Sequence, residues 1–212
     1  VGTATCEALA RAGYPVRRAL RRPAAVQRDD FVLGEIHGAT DWSEALRGVQ
    51  CILHLVARTH VMNRSPEDAA EYRRINVDGT RRLAVQAIAA GVRRLVFLSS
   101  VKVNGEVTPH RAFTEADAPC PEDPYGETKR DAEDLLLRLA REQPLDVVVL
   151  RSPLVYGPSV KGNFGRLMHA VAAGIPLPFG AVENRRSLIY VANLAHAVVT
   201  SIEKPEAAGR TY

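Results

Sequence analysis

Two short apolar runs set the tightest limit on what this chain can fold into. Leu95-Val96-Phe97-Leu98 is opened by Arg93-Arg94 and closed by Ser99-Ser100, and Val147-Val148-Val149-Leu150 is closed by Arg151. Neither run alternates apolar with polar residues, so neither suits a sheet with one face in water. A run this short and continuously apolar, bounded by polar residues, reads as a strand buried on both faces of a parallel sheet. Strands are predicted at 16–20, 31–36, 49–55, 94–99 and 146–151, alternating with helices at 3–12, 42–47, 66–90, 124–143 and 163–173 and a further helix at 193–203. Strand-helix alternation with short connections predicts an α/β fold with a doubly wound parallel sheet, Rossmann-like, over residues 1–157. The glycine- and proline-rich stretch 158–212 predicts the start of a small substrate-binding lobe.

Open sheets of this kind bind ligands beyond the carboxyl ends of their strands. Ser99 and Ser100 fall at such an end, and the predicted helix that follows begins Pro124-Tyr125-Gly126-Glu127-Thr128-Lys129. Tyr125 and Lys129 share a helix face one turn apart. An ammonium beside a phenol favours the phenolate, so the expectation is a tyrosine of lowered pKa that trades protons with a hydroxyl near neutral pH. Ser100, Tyr125 and Lys129 are thus the candidate catalytic group. The end of the strand predicted at 16–20 is Ala19-Leu20-Arg21-Arg22 and has no acid to bind a ribose, which leans toward NADP with Arg21 as the phosphate partner.

These elements resemble the extended short-chain dehydrogenase/reductases, in particular their nucleotide-sugar epimerase/dehydratase branch, and the resemblance runs the length of the chain. Val1-Gly2 is similar to the end of a Gly-x-x-Gly-x-x-Gly turn, and His54-Leu55-Val56-Ala57 to the segment that passes the cofactor. Gly34-Glu35-Ile36 resembles the adenine-pocket segment, with Glu35 in place of an aspartate. Asn76-Val77-Asp78-Gly79-Thr80, Ser100 before Val103-Asn104-Gly105, Arg151 to Pro158 and Arg186 to Val191 resemble four further motifs. The resemblance implies cofactor contacts at Gly2, Arg21, Glu35, Ile36, Leu55, Val56, Ala57, Tyr125 and Lys129. It implies substrate contacts at Ser100, Asn163 and Arg186, the last pairing with a nucleotide diphosphate. NAD is the usual cofactor in that branch, so NAD and NADP both stand.

In the sugar 4,6-dehydratases of that family an Asp-Glu pair follows the catalytic Ser/Thr. Val101 and Lys102 stand there and cannot carry out the elimination. Hydride transfer remains, as a nucleotide-sugar 4-epimerase or a related 4-ketosugar reductase, with a UDP-sugar the expected substrate. An alcohol or sterol-type dehydrogenase and a non-catalytic cofactor-binding protein are the alternatives. Leu154 replaces a substrate-side asparagine of the family, a departure from plain UDP-glucose epimerases. The resemblance also implies a homodimer through the helices at 66–90 and 124–143.

The remaining sequence narrows the partners. Of the 212 residues 46% are hydrophobic and 25% charged, ordinary for a soluble enzyme, and no apolar stretch nears the ~20 residues that span a bilayer. A cytoplasmic location and no membrane are expected. Net charge is +4 at pH 7, but the arginines are scattered as pairs without interleaved aromatics, so a phosphate-bearing small molecule and not nucleic acid is expected. Cys6, Cys51 and Cys120 are expected to be free thiols, and the six histidines lack ligand spacing, so no metal is expected. The opening residues already read as a helix and Gly209-Arg210-Thr211-Tyr212 as a strand just begun, so the fold is expected to be truncated at both ends.

Overall fold

A computed structural model describes residues 1–22, 30–59, 65–108, 111–158, 160 and 162–212. In chain order the elements are α1 (Gly2–Arg11), β1 (Ala19–Leu20), β2 (Phe31–Val32), α2 (Ser43–Leu46), β3 (Cys51–His54), α3 (Pro66–Arg73), a π-helical turn (Arg74–Gly79), α4 (Thr80–Ala89), β4 (Arg94–Ser100), a 3-10 turn (Val101–Val103), α5 (Pro124–Glu142), β5 (Asp146–Ser152), β6 (Leu154–Tyr156), α6 (Gly162–Ala172), β7 (Leu188–Tyr190), α7 (Val191–Glu203) and a 3-10 turn (Pro205–Ala207). Among the described residues every strand pair is parallel: β1 with β2, β3 with β4, β4 with β5, and β6 with β7.

The two apolar runs lie side by side. β4 and β5 pair from Arg94↔Asp146 to Ser100↔Ser152, so their carboxyl ends are level. Leu95, Phe97, Val147 and Val149 face one core, built with Trp42, Leu83, Ala87, Ala132 and Leu136. Val96 and Val148 face the other, with Leu150, Val198 and Ala207. Successive side chains of a strand point to opposite faces, so a continuous apolar run is what a sheet covered on both sides requires. α2, α4 and α5 cover the first face; α7 covers the second and packs on α1. The doubly wound sheet is thus as expected. Backbone bonds from Tyr212 N to Val149 O (2.9 Å) and from Arg151 N to Tyr212 O (2.8 Å) start a strand on the free edge of β5.

The helix starts follow from local chemistry. Ser65 accepts from Asp68 N (3.2 Å) ahead of Pro66, and Asp123 accepts from Gly126 N (2.7 Å) ahead of Pro124. A capping oxygen followed by proline at the first helical position satisfies an orphan amide where proline loses nothing. Three expectations need correcting. The helix expected at 66–90 is divided by a π-helical turn, the strands expected at 16–20 and 31–36 shrink to two residues each, and β6 and β7 were not foreseen. Among the described residues no helix is long and apolar enough to cross a membrane, and no cluster of His, Cys, Asp and Glu is arranged to hold a metal ion.

Candidate active site

Ser100 ends β4, and Tyr125 stands in the first turn of α5, so the strand end and the helix start bring them together. The Ser100 hydroxyl stands near enough to the Tyr125 phenol to favour its ionised form. The turn between them is tied down: Lys102 N donates to Ser100 Oγ (3.3 Å), and Lys102 Nζ reaches Asp123 Oδ2 (2.5 Å) and Glu106 Oε1 (2.7 Å). Gly126 lies so close that a Cβ on it would stand 2.7 Å from the Lys102 carbonyl oxygen. Only glycine allows that approach, and it seats the helix start on the 3-10 turn.

Lys129 lies one turn further into α5 and is 2% exposed, with Nζ 4.0 Å from the centroid of the Phe97 ring. Burial lowers its pKa to about 7, against the upward pull of Glu133. The expected lowering of the Tyr125 pKa is not found. Burial raises it; the Ser100 hydroxyl and the charge of Lys102 pull it down, while Asp123 and Tyr72 push it up. Burial, not Lys129, is the dominant influence on the phenol. The reason is physical: a half-buried phenol loses more hydration than one neighbouring hydroxyl returns, and the lysine is itself shedding charge.

Beneath this pair runs a network that the sequence reading did not name. Ser99 Oγ donates to Glu133 Oε1, Glu133 pairs with Arg151 (Nη2 to Oε2, 2.7 Å), and Arg151 Nη1 donates to Asn104 Oδ1 (3.2 Å). Glu133 is 2% exposed. Its sequence signal was its place four residues after Lys129, on the same helix face. His54, buried, has its pKa lowered to about 3 by burial and by the charge of Lys129, so its ring is neutral. Thr80 donates to Asn76 O (2.7 Å), which leaves its oxygen to accept from His54 Nε2 (2.8 Å). Asn76, in the π-helical turn, accepts from Arg58 N (2.8 Å) and donates to Thr128 Oγ1 (3.0 Å). One buried amide thereby joins the segment after β3 to the helix that carries Tyr125.

A cleft of about 290 Å3 opens beyond β1, β2 and β3, lined among others by Arg21, Glu35, Ile36, Val56, Ala57 and Arg58. Five expected cofactor residues are therefore in one place. Gly2 and Leu55 are not among its lining residues, but they adjoin each other: a Cβ on Gly2 would meet Leu55 Cδ1 at 3.8 Å. Arg21 pairs with Glu35, and Glu35 also takes Arg74 (3.1 Å). The acid absent from the end of β1 is thus supplied from the end of the next strand. Arg58, which lines the cleft, and Arg74, which pairs with its Glu35, were not foreseen.

The expected substrate contacts are less assembled. Asn163 is exposed on the first turn of α6 and accepts from Arg166. Arg186 is exposed two residues before Leu188, the partner of Leu154 in the β6–β7 pair, and no ion pair holds it among the described residues. No hydrogen bond joins either to Ser100, Tyr125 or Lys129 among the described residues. The cysteines are free, and burial raises the Cys51 thiol to about 11.

The sequence model of the NAD dependent epimerase/dehydratase family matches residues 1–212. A UDP-glucose 4-epimerase of Vibrio cholerae is 42% identical over 219 residues, covering 100% of this chain and 66% of that protein. An N-acetyl-alpha-D-glucosaminyl-diphospho-ditrans,octacis-undecaprenol 4-epimerase of Escherichia coli O157:H7 is 26% identical, covering 85% of this chain and 54% of that protein. Among solved structures, a short-chain dehydrogenase/reductase superfamily protein from Agrobacterium tumefaciens with bound NAD superposes with a TM-score of 0.79 at 28% identity, covering 100% of this chain and 73% of that one. MoeE5 in complex with UDP-glucose and NAD gives 0.82 at 28% identity, covering 98% and 70%. The chain therefore spans 66% of the first curated relative and 54% of the other.

Proposed function

This chain belongs to the NAD dependent epimerase/dehydratase family, and we propose that it carries the cofactor-binding and catalytic part of an NAD(P)-dependent nucleotide-sugar 4-epimerase or a related 4-ketosugar reductase. The observation that carries the proposal is the meeting of Ser100, at the level carboxyl ends of β4 and β5, with Tyr125 in the first turn of α5, one helical turn from a buried lysine. Residues 1–157 are assigned to the dinucleotide and 158–212 to the substrate side.

The cleft residues fit a dinucleotide. Ile36 and Ala57 offer apolar surface, and Glu35 offers acceptors for ribose hydroxyls. When bound, a nicotinamide cofactor supplies the hydride acceptor and donor. The chain's own residues handle the proton. Tyr125 takes the proton of a sugar hydroxyl as the alcohol becomes a ketone, and Ser100 hydrogen-bonds the same oxygen. In epimerisation the ketosugar turns over and Tyr125 returns the proton to that oxygen; in reduction the proton only enters. Val101 and the doubly paired Lys102 leave no carboxylate for dehydration. The preferred substrate class is UDP-sugars, in keeping with the Vibrio cholerae relative, and Arg186 is assigned to the diphosphate. A homodimer through α3, α4 and α5 belongs to the same reading, with Val85 exposed on α4.

The test uses the full-length protein with UDP-sugars, following cofactor absorbance and sugar interconversion together. An epimerase interconverts sugars without accumulating reduced cofactor, and a reductase consumes it. Tyr125→Phe is expected to lose on the order of 10²- to 10⁴-fold in turnover while cofactor affinity is nearly kept. Wild-type-like turnover in that variant would falsify the assigned acid/base.

A further inference from the structure

Lys102 occupies the place of a dehydratase carboxylate, yet its surroundings leave it neither idle nor free to meet substrate. Its ammonium is held from two sides, by Asp123 Oδ2 at 2.5 Å and Glu106 Oε1 at 2.7 Å. Its amide donates to Ser100 Oγ (3.3 Å), its carbonyl presses on Gly126, and Asp123 Oδ1 caps Gly126 N (2.7 Å). Lys102 and its partner Asp123 thus bridge the turn after Ser100 to the first turn of α5.

We infer that Lys102 is the positioning residue of the acid/base pair: its side chain clamps the turn bearing Ser100 to the helix start bearing Tyr125 and keeps a permanent positive charge beside the phenol. The inference rests on the acid/base assignment to Tyr125. It gives a task in this chain to a position that in sugar dehydratases holds an acid. Burial works to lower the Lys102 pKa, but the hydrogen bonds and charges of Asp123 and Glu106 outweigh it, so the net direction is upward. The residue is therefore no proton donor in the working range.

The groups that act on Tyr125 come from four elements. Ser100 at the end of β4 and Lys102 in the 3-10 turn favour the phenolate; Asp123 at the α5 cap and Tyr72 on α3 oppose it. Lys102 and Asp123 thus pull the phenol in opposite directions while forming one ion pair. That opposition separates the electrostatic role from mere scaffolding. Removing either partner breaks the same bridge, so a structural role moves both variants alike, whereas a charge role moves them apart.

The experiment titrates Tyr125 by NMR in full-length protein labelled with 13Cζ-tyrosine, the resonance assigned by its loss in Tyr125→Phe. Lys102→Met is expected to move the Tyr125 midpoint to higher pH, and Lys102→Arg to restore it. Asp123→Asn, which keeps a capping oxygen, is expected to move it to lower pH. The acid limb of the turnover profile should follow, with kcat falling more than KM rises in Lys102→Met. Equal or same-direction shifts in Lys102→Met and Asp123→Asn would overturn the inference, as would a midpoint unmoved in both. Opposed shifts in a protein with no turnover of any nucleotide sugar would sink the proposed function and leave the Lys102 assignment standing.

Discussion

Burial strips Lys129 of water on every side, and the Phe97 ring face at 4.0 Å returns only part of the lost hydration. With a folded pKa of about 7 against an unfolded value of ~10.4, the unfolded chain binds a proton that the folded chain lacks between those limits. Stability therefore rises with pH across that window, and below about pH 7 the full cost of burying the charge is present. Urea unfolding of the cofactor-free protein is expected to show a midpoint that climbs from pH 7 toward 10, by a few kcal/mol at most. Lys129→Met should flatten the climb and raise stability below pH 7. A wild-type midpoint independent of pH in this range would contradict the burial of a chargeable group there. The sequence spacing correctly put Tyr125 and Lys129 on one helix, but their pKa directions depended on burial. Phe97, some thirty residues earlier, supplies that environment, and no local pattern announces it.

At the scale of elements, the break in the helix following β3 matters more than its length. A π-helical turn inserts a wider loop of backbone and re-aims one side chain. The turn from Arg74 to Gly79 carries Asn76, which holds Arg58 of the cleft and Thr128 of α5 together. Asn76→Leu is expected to cost about 1–3 kcal/mol by stranding those partners, and to accelerate hydrogen exchange at the Arg58 amide. Unchanged exchange at Arg58 would show that the segment after β3 is held by something else. The sequence disclosed where this helix began, through Ser65-Pro66, but not its interruption, because a π-helical turn has no residue preference that an α-helix lacks. β4 and β5 were legible because burial on both faces writes itself as an unbroken apolar run. β6 and β7 were not, since three-residue strands with both terminal side chains exposed carry no pattern long enough to read. The site followed suit: strand ends and helix starts were visible, while the Glu133–Arg151 pair and the Lys102 clamp needed the tertiary structure.

Over the whole molecule, the sheet is a wall between two cores, and the wall is one residue thick. Leu136 of α5 packs on the side of Phe97 and Val147, and Val198 of α7 on the side of Val96 and Val148, each fully or nearly fully buried. Neighbouring residues of β4 thus report to different helices. Leu136→Ala is expected to cost about 2–5 kcal/mol. Double-mutant cycles by chemical denaturation should then separate the layers. Val96→Ala with Val198→Ala shares a cavity and should couple by about 0.5 kcal/mol or more, whereas Leu136→Ala with Val198→Ala should add within about 0.5 kcal/mol. Strong coupling across the sheet would mean that β4 shifts as a body when either core is loosened. Because β4 ends in Ser99 and Ser100, such a shift would also move the candidate acid/base pair. Additive cycles would instead mean that α7 can be remodelled without disturbing Ser100, which is what a scaffold that carries its chemistry on one strand end requires.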